Sequence, residues 1–167
     1  MRAAFAILLL LGLAACGTSR QTDVPGVARP QVAEPVSCVP YARERSGIRL
    51  SGDAWSWWDG AAGRYARSRA PRPGSVLVID RTPGMRDGHV AVVTRLVGSR
   101  EILVDHANWA SGAGRGRIAT EQRVVDVSAR NDWSAVRVWY PRIEALGGTV
   151  FPVRGFVHAE AVTLAAR

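Results

Sequence analysis

The hydrophobic pattern of the chain divides it into stretches of different character. Residues 3–15 form an uncharged, mostly apolar run of 13 residues behind Arg2. A membrane-spanning helix needs roughly 20 such residues, so this run is too short to span and has the shape of a signal-peptide core. From residue 17 to about residue 36 no period is visible. The segment is rich in Gly, Thr, Ser and Gln, and Pro25, Pro30 and Pro35 forbid a regular helix, which predicts a flexible tether.

Two helices are predicted next. Ser37 is placed to cap a helix over Cys38–Ser46 that Gly47 ends, and Pro40 is tolerated in its first turn. A second helix is expected over residues 54–66, weakened by Gly60 and Gly63. After the loop at 69–74 the period becomes strand-like. Residues 75–80, 89–97, 101–106, 123–128 and 135–140 are short, β-branched-rich runs separated by turn signals. Helices first and strands afterwards predict an α+β fold, with N-terminal helices packed on an antiparallel β-sheet. Residues 143–167, with Gly147-Gly148 and an apolar stretch at 151–157, read as a C-terminal extension.

Composition narrows this picture. A chain of 167 residues with 47% apolar and 22% charged residues is that of a globular protein with one domain and a tail. All 22 basic residues are arginine against 14 acidic ones, a net charge of +8, which suits an anionic partner. The arginines are scattered rather than clustered on one element, and with an export signal ahead of them a nucleic-acid partner is not expected. Two cysteines cannot build a disulfide framework, nor a zinc site without histidine help, so no metal or cofactor is predicted.

The cysteines instead take separate roles. Leu13-Ala14-Ala15-Cys16 resembles a bacterial lipobox, in which the cysteine is acylated and becomes the first mature residue. On that reading residues 1–15 are a lipoprotein signal peptide and residues 16–36 a lipidated tether. The mature chain has 152 residues (167 less 15), and its charge falls to +7 with the loss of Arg2. Several acyl groups give stable anchoring where one is marginal. Gly17 after the cysteine favours the periplasmic face of the outer membrane, by similarity to Gram-negative lipoproteins. Cys38 is then left as a free thiol.

At a helix N-terminus Cys38 faces unpaired N–H groups and the positive end of the helix dipole, which are expected to lower its pKa below the usual value of about 8.5. Two histidines lie where they can serve it. His89 opens an apolar strand behind Gly88, and His106 closes the next one. A hairpin through Gly98-Ser99-Arg100 brings His89 opposite about residue 109. Strand alternation puts Ile102, Val104, His106 and Asn108 on one face and Asp105, Ala107 and Trp109 on the other. His106 and Asn108 are therefore both placed to orient His89. A thiol, a base and a polar group that fixes the base follow the logic of cysteine acyl transfer, and the N–H of Cys38 is a natural oxyanion donor. His158 has no such context.

The ordered motifs carry a more specific signal. Cys38-Val-Pro-Tyr41, Ser51-Gly-Asp-Ala54 with Trp55 and Trp58, Pro73-Gly-Ser-Val-Leu-Val78, Gly88-His-Val-Ala-Val-Val93 and His106-Ala-Asn-Trp109 follow one another over about residues 36–141. This series resembles the CHAP domain (cysteine, histidine-dependent amidohydrolase/peptidase), a branch of the papain-like NlpC/P60 superfamily. The resemblance implies a papain-like fold over residues 37–142 and a peptidoglycan substrate. It also implies cleavage of N-acetylmuramoyl–L-alanine or stem-peptide amide bonds, with Cys38 as nucleophile and His89 as base. Many CHAP domains carry Glu two residues before the Asn, where this chain has His106, so the third role falls to His106 or Asn108. Trp55 and Trp109 are the candidates for substrate contact. A monomer is expected. The alternative to hydrolysis is a non-catalytic envelope lipoprotein that binds peptidoglycan through a CHAP-like fold.

Overall fold

The architecture comes from a computed structural model, which describes residues 35–110 and 114–161. The expected signal peptide, Cys16, the expected tether up to residue 34, residues 111–113 and residues 162–167 lie outside the described residues.

Helix α1 spans Cys38–Ser46. Ser37 stands at its N-cap in extended conformation but makes no side-chain capping bond there. Gly47, at φ 74°, ends it, with its N–H donating to Arg43 O at 3.1 Å. A left-handed cap of this kind costs glycine little. The second helix is far shorter than expected. A 3-10 turn over Ala54–Ser56 leads into α2, only Trp57–Gly60, and the chain then extends into strand β1, Tyr65–Ser68. Gly63 at φ 70° supplies the turn between them. A helix through 66 would have kept Tyr65 and its neighbours from pairing with a sheet.

The remaining strands are β2 (Val76–Ile79), β3 (His89–Gly98), β4 (Glu101–Ala107), β5 (Ile118–Asp126), β6 (Ala135–Tyr140), β7 (Ala145–Leu146) and β8 (Phe151–Ala161). Their order is β1-β8-β2-β3-β4-β5-β6-β7, and β8 pairs with β6 as well. The six strands β8-β2-β3-β4-β5-β6 therefore close into an antiparallel barrel. This corrects the expected fold class. Over the described residues the chain is mostly β with two short helices, not a papain-like α+β sheet with N-terminal helices packed on it. Alternation looks the same in an open sheet and in a closed one, and closure depends on β8, which meets β6 from outside any local pattern. Within the segment expected to be an extension, Phe151–Ala161 thus supply a barrel strand.

Both faces of β2 and of the first half of β3 are buried. Leu77, Ile79, Ala91, Val93, Ile102 and Val104 point into the barrel, where Phe156, Val136 and Val138 meet them. Val76, Val78, Val90 and Val92 point outward and are covered by Ala42, Ile48, Leu50 and Trp57 from the helical segment. The helical layer thus lies against one side of the barrel, and α1 delivers its first residue to the start of β3.

Candidate functional site

His89 is the first residue of β3 and shares the inward parity of Ala91 and Val93; His106 shares that of Ile102 and Val104. The two imidazoles meet at one mouth of the barrel, with His89 Nε2 3.1 Å from His106 Nδ1. Both rings are buried. Burial holds His89 well below the usual imidazole range, with the neighbouring His106 adding to the effect. The same desolvation brings His106 down to about 4, opposed by the charge of Asp105. The pair is therefore neutral at pH 7. Among the described residues Nε2 of His106 finds no partner.

Trp109 roofs the pair. Its ring centroid lies 4.8 Å from that of His89 and 5.5 Å from that of His106, nearly parallel to the latter at 24°. Phe151 meets its far edge at 5.1 Å, and its Nε1–H donates to Trp139 O at 3.2 Å. Simple alternation puts Trp109 on the face opposite His106. The strand ends at Ala107, however, and Asn108 adopts φ 60°, which turns the following residue back over the barrel mouth.

Gly88 keeps His89 where it is. At φ 66° a Cβ there would lie 2.7 Å from Ile79 O and 2.9 Å from both N and Cβ of Trp55. Trp55 N–H donates to Asp87 O at 3.1 Å, so the turn at residues 54–56 is stitched directly onto the approach to His89. The glycine is there because backbone passes where a side chain would stand.

Cys38 is half-buried at the start of α1. The backbone N–H groups of Val90, Val39 and Cys38 itself face its sulfur. Contact with Val90 places the thiol beside the residue that follows His89. Burial nevertheless outweighs those donors, and Asp87 adds to it, so the thiol is pushed up rather than down. The expectation of a lowered pKa is corrected: the helix terminus contributes, but desolvation is the larger effect.

Cys38, His89, Asn108 and Trp109 line one cleft of about 800 Å³, together with Asp53, Met85, Asp87, Arg115, Tyr140 and Phe151. The cleft thus draws one wall from the helical segment and the β2–β3 loop, and the other from the region after β4. Trp55 is not among its lining residues. Arg81 stacks over its ring at 4.3 Å and Arg154 at 5.6 Å, so its faces are taken by guanidinium groups. Asn108 is exposed, and its Oδ1 accepts the N–H of Gly116 at 2.8 Å; it is His106 that bonds His89. His158 is buried elsewhere on β8 and meets Ser68 Oγ at 2.8 Å. No group of three or more His, Cys, Asp or Glu among the described residues is placed to hold a metal ion.

Two features escaped the reading of the sequence. Asp105 faces outward, but it is buried and bonds Arg45 of α1 at 2.8 Å. The far wall of the cleft, from Arg115 to Phe151, carries no local motif, and its assembly depends on barrel closure.

Residues 30–108 match the family model of the CHAP domain. Over that stretch the chain carries the CHAP-domain pattern. The match ends at Asn108, whereas the ordered motifs suggested a span to about residue 141. No curated protein matches the chain. A CHAP domain brings with it peptidoglycan-hydrolase-type activity, in a family of cysteine- and histidine-dependent amidohydrolases and peptidases. Within this CHAP domain the thiol and the first histidine share a cleft, and the second histidine backs the first.

Proposed function

We propose that the protein is a peptidoglycan hydrolase that cuts an amide bond, N-acetylmuramoyl–L-alanine or one within the stem peptide, with Cys38 as nucleophile and His89 as base. The observation that carries this reading is the 3.1 Å contact between His89 Nε2 and His106 Nδ1, made beside a cleft that Cys38 lines. In the competent tautomer His89 donates its Nε2–H to His106, which leaves the lone pair of His89 Nδ1 for the thiol proton. Holding the tautomer in this way is what the third member of such a site does.

Both groups are neutral at rest, so the proton moves during attack. The sulfur of Cys38 bonds to the carbonyl carbon, its proton passes to His89 Nδ1, and the carbonyl pair moves onto oxygen. The N–H of Cys38 at the start of α1 is the donor for that oxyanion. When the carbonyl reforms, the C–N bond breaks and His89 hands its proton to the leaving amine. Water then attacks the thioester and gives a proton to His89; the C–S bond breaks and the thiol is restored.

The test compares wild type with Cys38→Ser and His89→Ala on purified sacculi, with released muropeptides followed by mass spectrometry. Loss of release in both variants is expected. Equal release by all three proteins sinks the proposal.

We also propose that Cys16 is acylated, and that the domain is tethered by lipid in the bacterial envelope, on the periplasmic face of the outer membrane. The support is the run before Leu13-Ala14-Ala15-Cys16 and the Pro-punctuated segment after it. Metabolic labelling with an alkyne-bearing fatty acid should mark the wild type and not Cys16→Ser. Equal labelling of the two excludes this anchor.

A further inference from the structure

Strand β4 presents His106 to the barrel interior, and residues on either side of it hold the two ends of helix α1. Asp105 is the outward neighbour of His106, with a side chain only 6% exposed. Its Oδ2 accepts from Arg45 Nη2, in the last turn of α1, at 2.8 Å. Its Oδ1 accepts the N–H of Glu121 at 2.9 Å, beside the register shift between β4 and β5, so the carboxylate cannot swing away. A buried carboxylate with two donors, one of them charged, makes a firm anchor.

The other end is held through Asn108. Its Oδ1 accepts from Gly116 N at 2.8 Å, and Gly116 O in turn accepts from Val36 N at 2.9 Å, two residues before Cys38. The contact is close. A Cβ on Gly116, which sits at φ 73°, would lie 2.6 Å from Cβ of Pro35. Of the nine residues of α1 only Tyr41 and Ala42 are buried, with Cys38 and Val39 partly buried against the core.

We propose that Asp105 and Asn108 are positioning residues: β4 and the residue that follows it clamp the nucleophile's helix at both ends and so set Cys38 against the histidine pair that the same strand helps to build. The inference rests on the assignment of Cys38 and His89 above. It gives Asn108 a task other than fixing the base, because its side-chain oxygen is committed to Gly116. A displacement of about 1 Å in the nucleophile is enough to cost on the order of 100-fold in rate, so a clamp of this kind acts on turnover rather than on substrate affinity.

The experiment uses the full chain and soluble peptidoglycan fragments that carry stem peptides. Active sites are counted by stoichiometric alkylation of Cys38, with Cys16→Ser as the common background. Asn108→Gly keeps the positive φ and removes only the carbonyl; Arg45→Ala breaks the other hold from its half-exposed partner. Each should lower kcat per alkylated site by about 10-fold or more, with KM within about twofold. Asn108→Asp keeps an acceptor for Gly116, and Arg45→Lys keeps a cation for Asp105; both should restore most of the rate. Wild-type turnover per site in Asn108→Gly and Arg45→Ala overturns the clamp, as does a loss that follows only the number of sites. Cys38→Ser is the control for the underlying assignment: full activity there overturns the catalytic reading itself, whatever the clamp variants do.

Discussion

His89 and His106 share one hydrogen bond, 3.1 Å from Nε2 to Nδ1, inside the mouth of a closed barrel. Only one of the two nitrogens can carry the proton in that bond when both rings are neutral. If His106 keeps Nδ1 bare, as the proposed chemistry requires, it fixes both the tautomer and the orientation of its neighbour.

His106→Ala removes the acceptor and should lower kcat about 100-fold, with little change in KM. His106→Gln returns a side-chain oxygen and should recover part of the loss. Steady-state kinetics on soluble peptidoglycan fragments decide this; equal kcat in wild type and the Ala variant would show that the second imidazole does not serve the first.

Both histidines have pKa values lowered in the folded protein, so the unfolded chain binds protons first as the pH falls. Stability is therefore full above the ordinary imidazole value of about 6.5 and is lost progressively below it, down to about 4 for His106. The loss assigned to His106 alone is on the order of 3 kcal/mol across that window. Calorimetric Tm should drop steeply between these limits and less steeply in His106→Gln. A Tm that is flat over this interval contradicts the neutral, buried pair.

The thiol of Cys38 is pushed up by burial, which the surrounding N–H groups only partly offset. In a Cys16→Ser background, alkylation by iodoacetamide should follow an apparent pKa above the ordinary thiol value of about 8.5. Hydrolysis should instead run at neutral pH, since in the proposed mechanism His89 removes the proton during attack. A thiolate already formed at pH 6 would mean a resting ion pair with His89, and the neutral dyad would have to be abandoned.

Gly88→Ala tests the passage of backbone behind His89. The new methyl would meet Ile79 O at 2.7 Å at a residue with φ 66°. Destabilisation on the order of 3 kcal/mol is expected from strain and overlap together, read as a lower urea midpoint at unchanged m-value. An unaltered midpoint would show that residues 54–56 can retreat without cost.

Much of the site was legible one residue at a time. Gly47 marked the end of α1, Gly88 marked a close approach, and the parity of β3 and β4 brought His89 to His106. These signals are local, and each reflects a constraint on one or two backbone positions. Trp109 was misread because parity fails once Asn108 turns left-handed, and Asn108 is an ordinary residue in composition. The barrel was misread for a different reason. Its closure is a pairing of Val136 with Phe151 and of Ala135 with Pro152, and β6 and β8 carry no mark that distinguishes partners from mere neighbours.

Closing the sheet on itself also governs how such molecules meet one another. A chain this rich in β-branched residues would, as an open sheet, offer long rows of unpaired amides to its neighbours. Here the strands at the two ends of the sheet are β1, with four residues, and β7, with two. Ends so short give little template for edge-to-edge addition. Crowding at high local concentration should therefore leave the molecules separate, a colloidal property that follows from topology and owes nothing to the chemistry of the cleft.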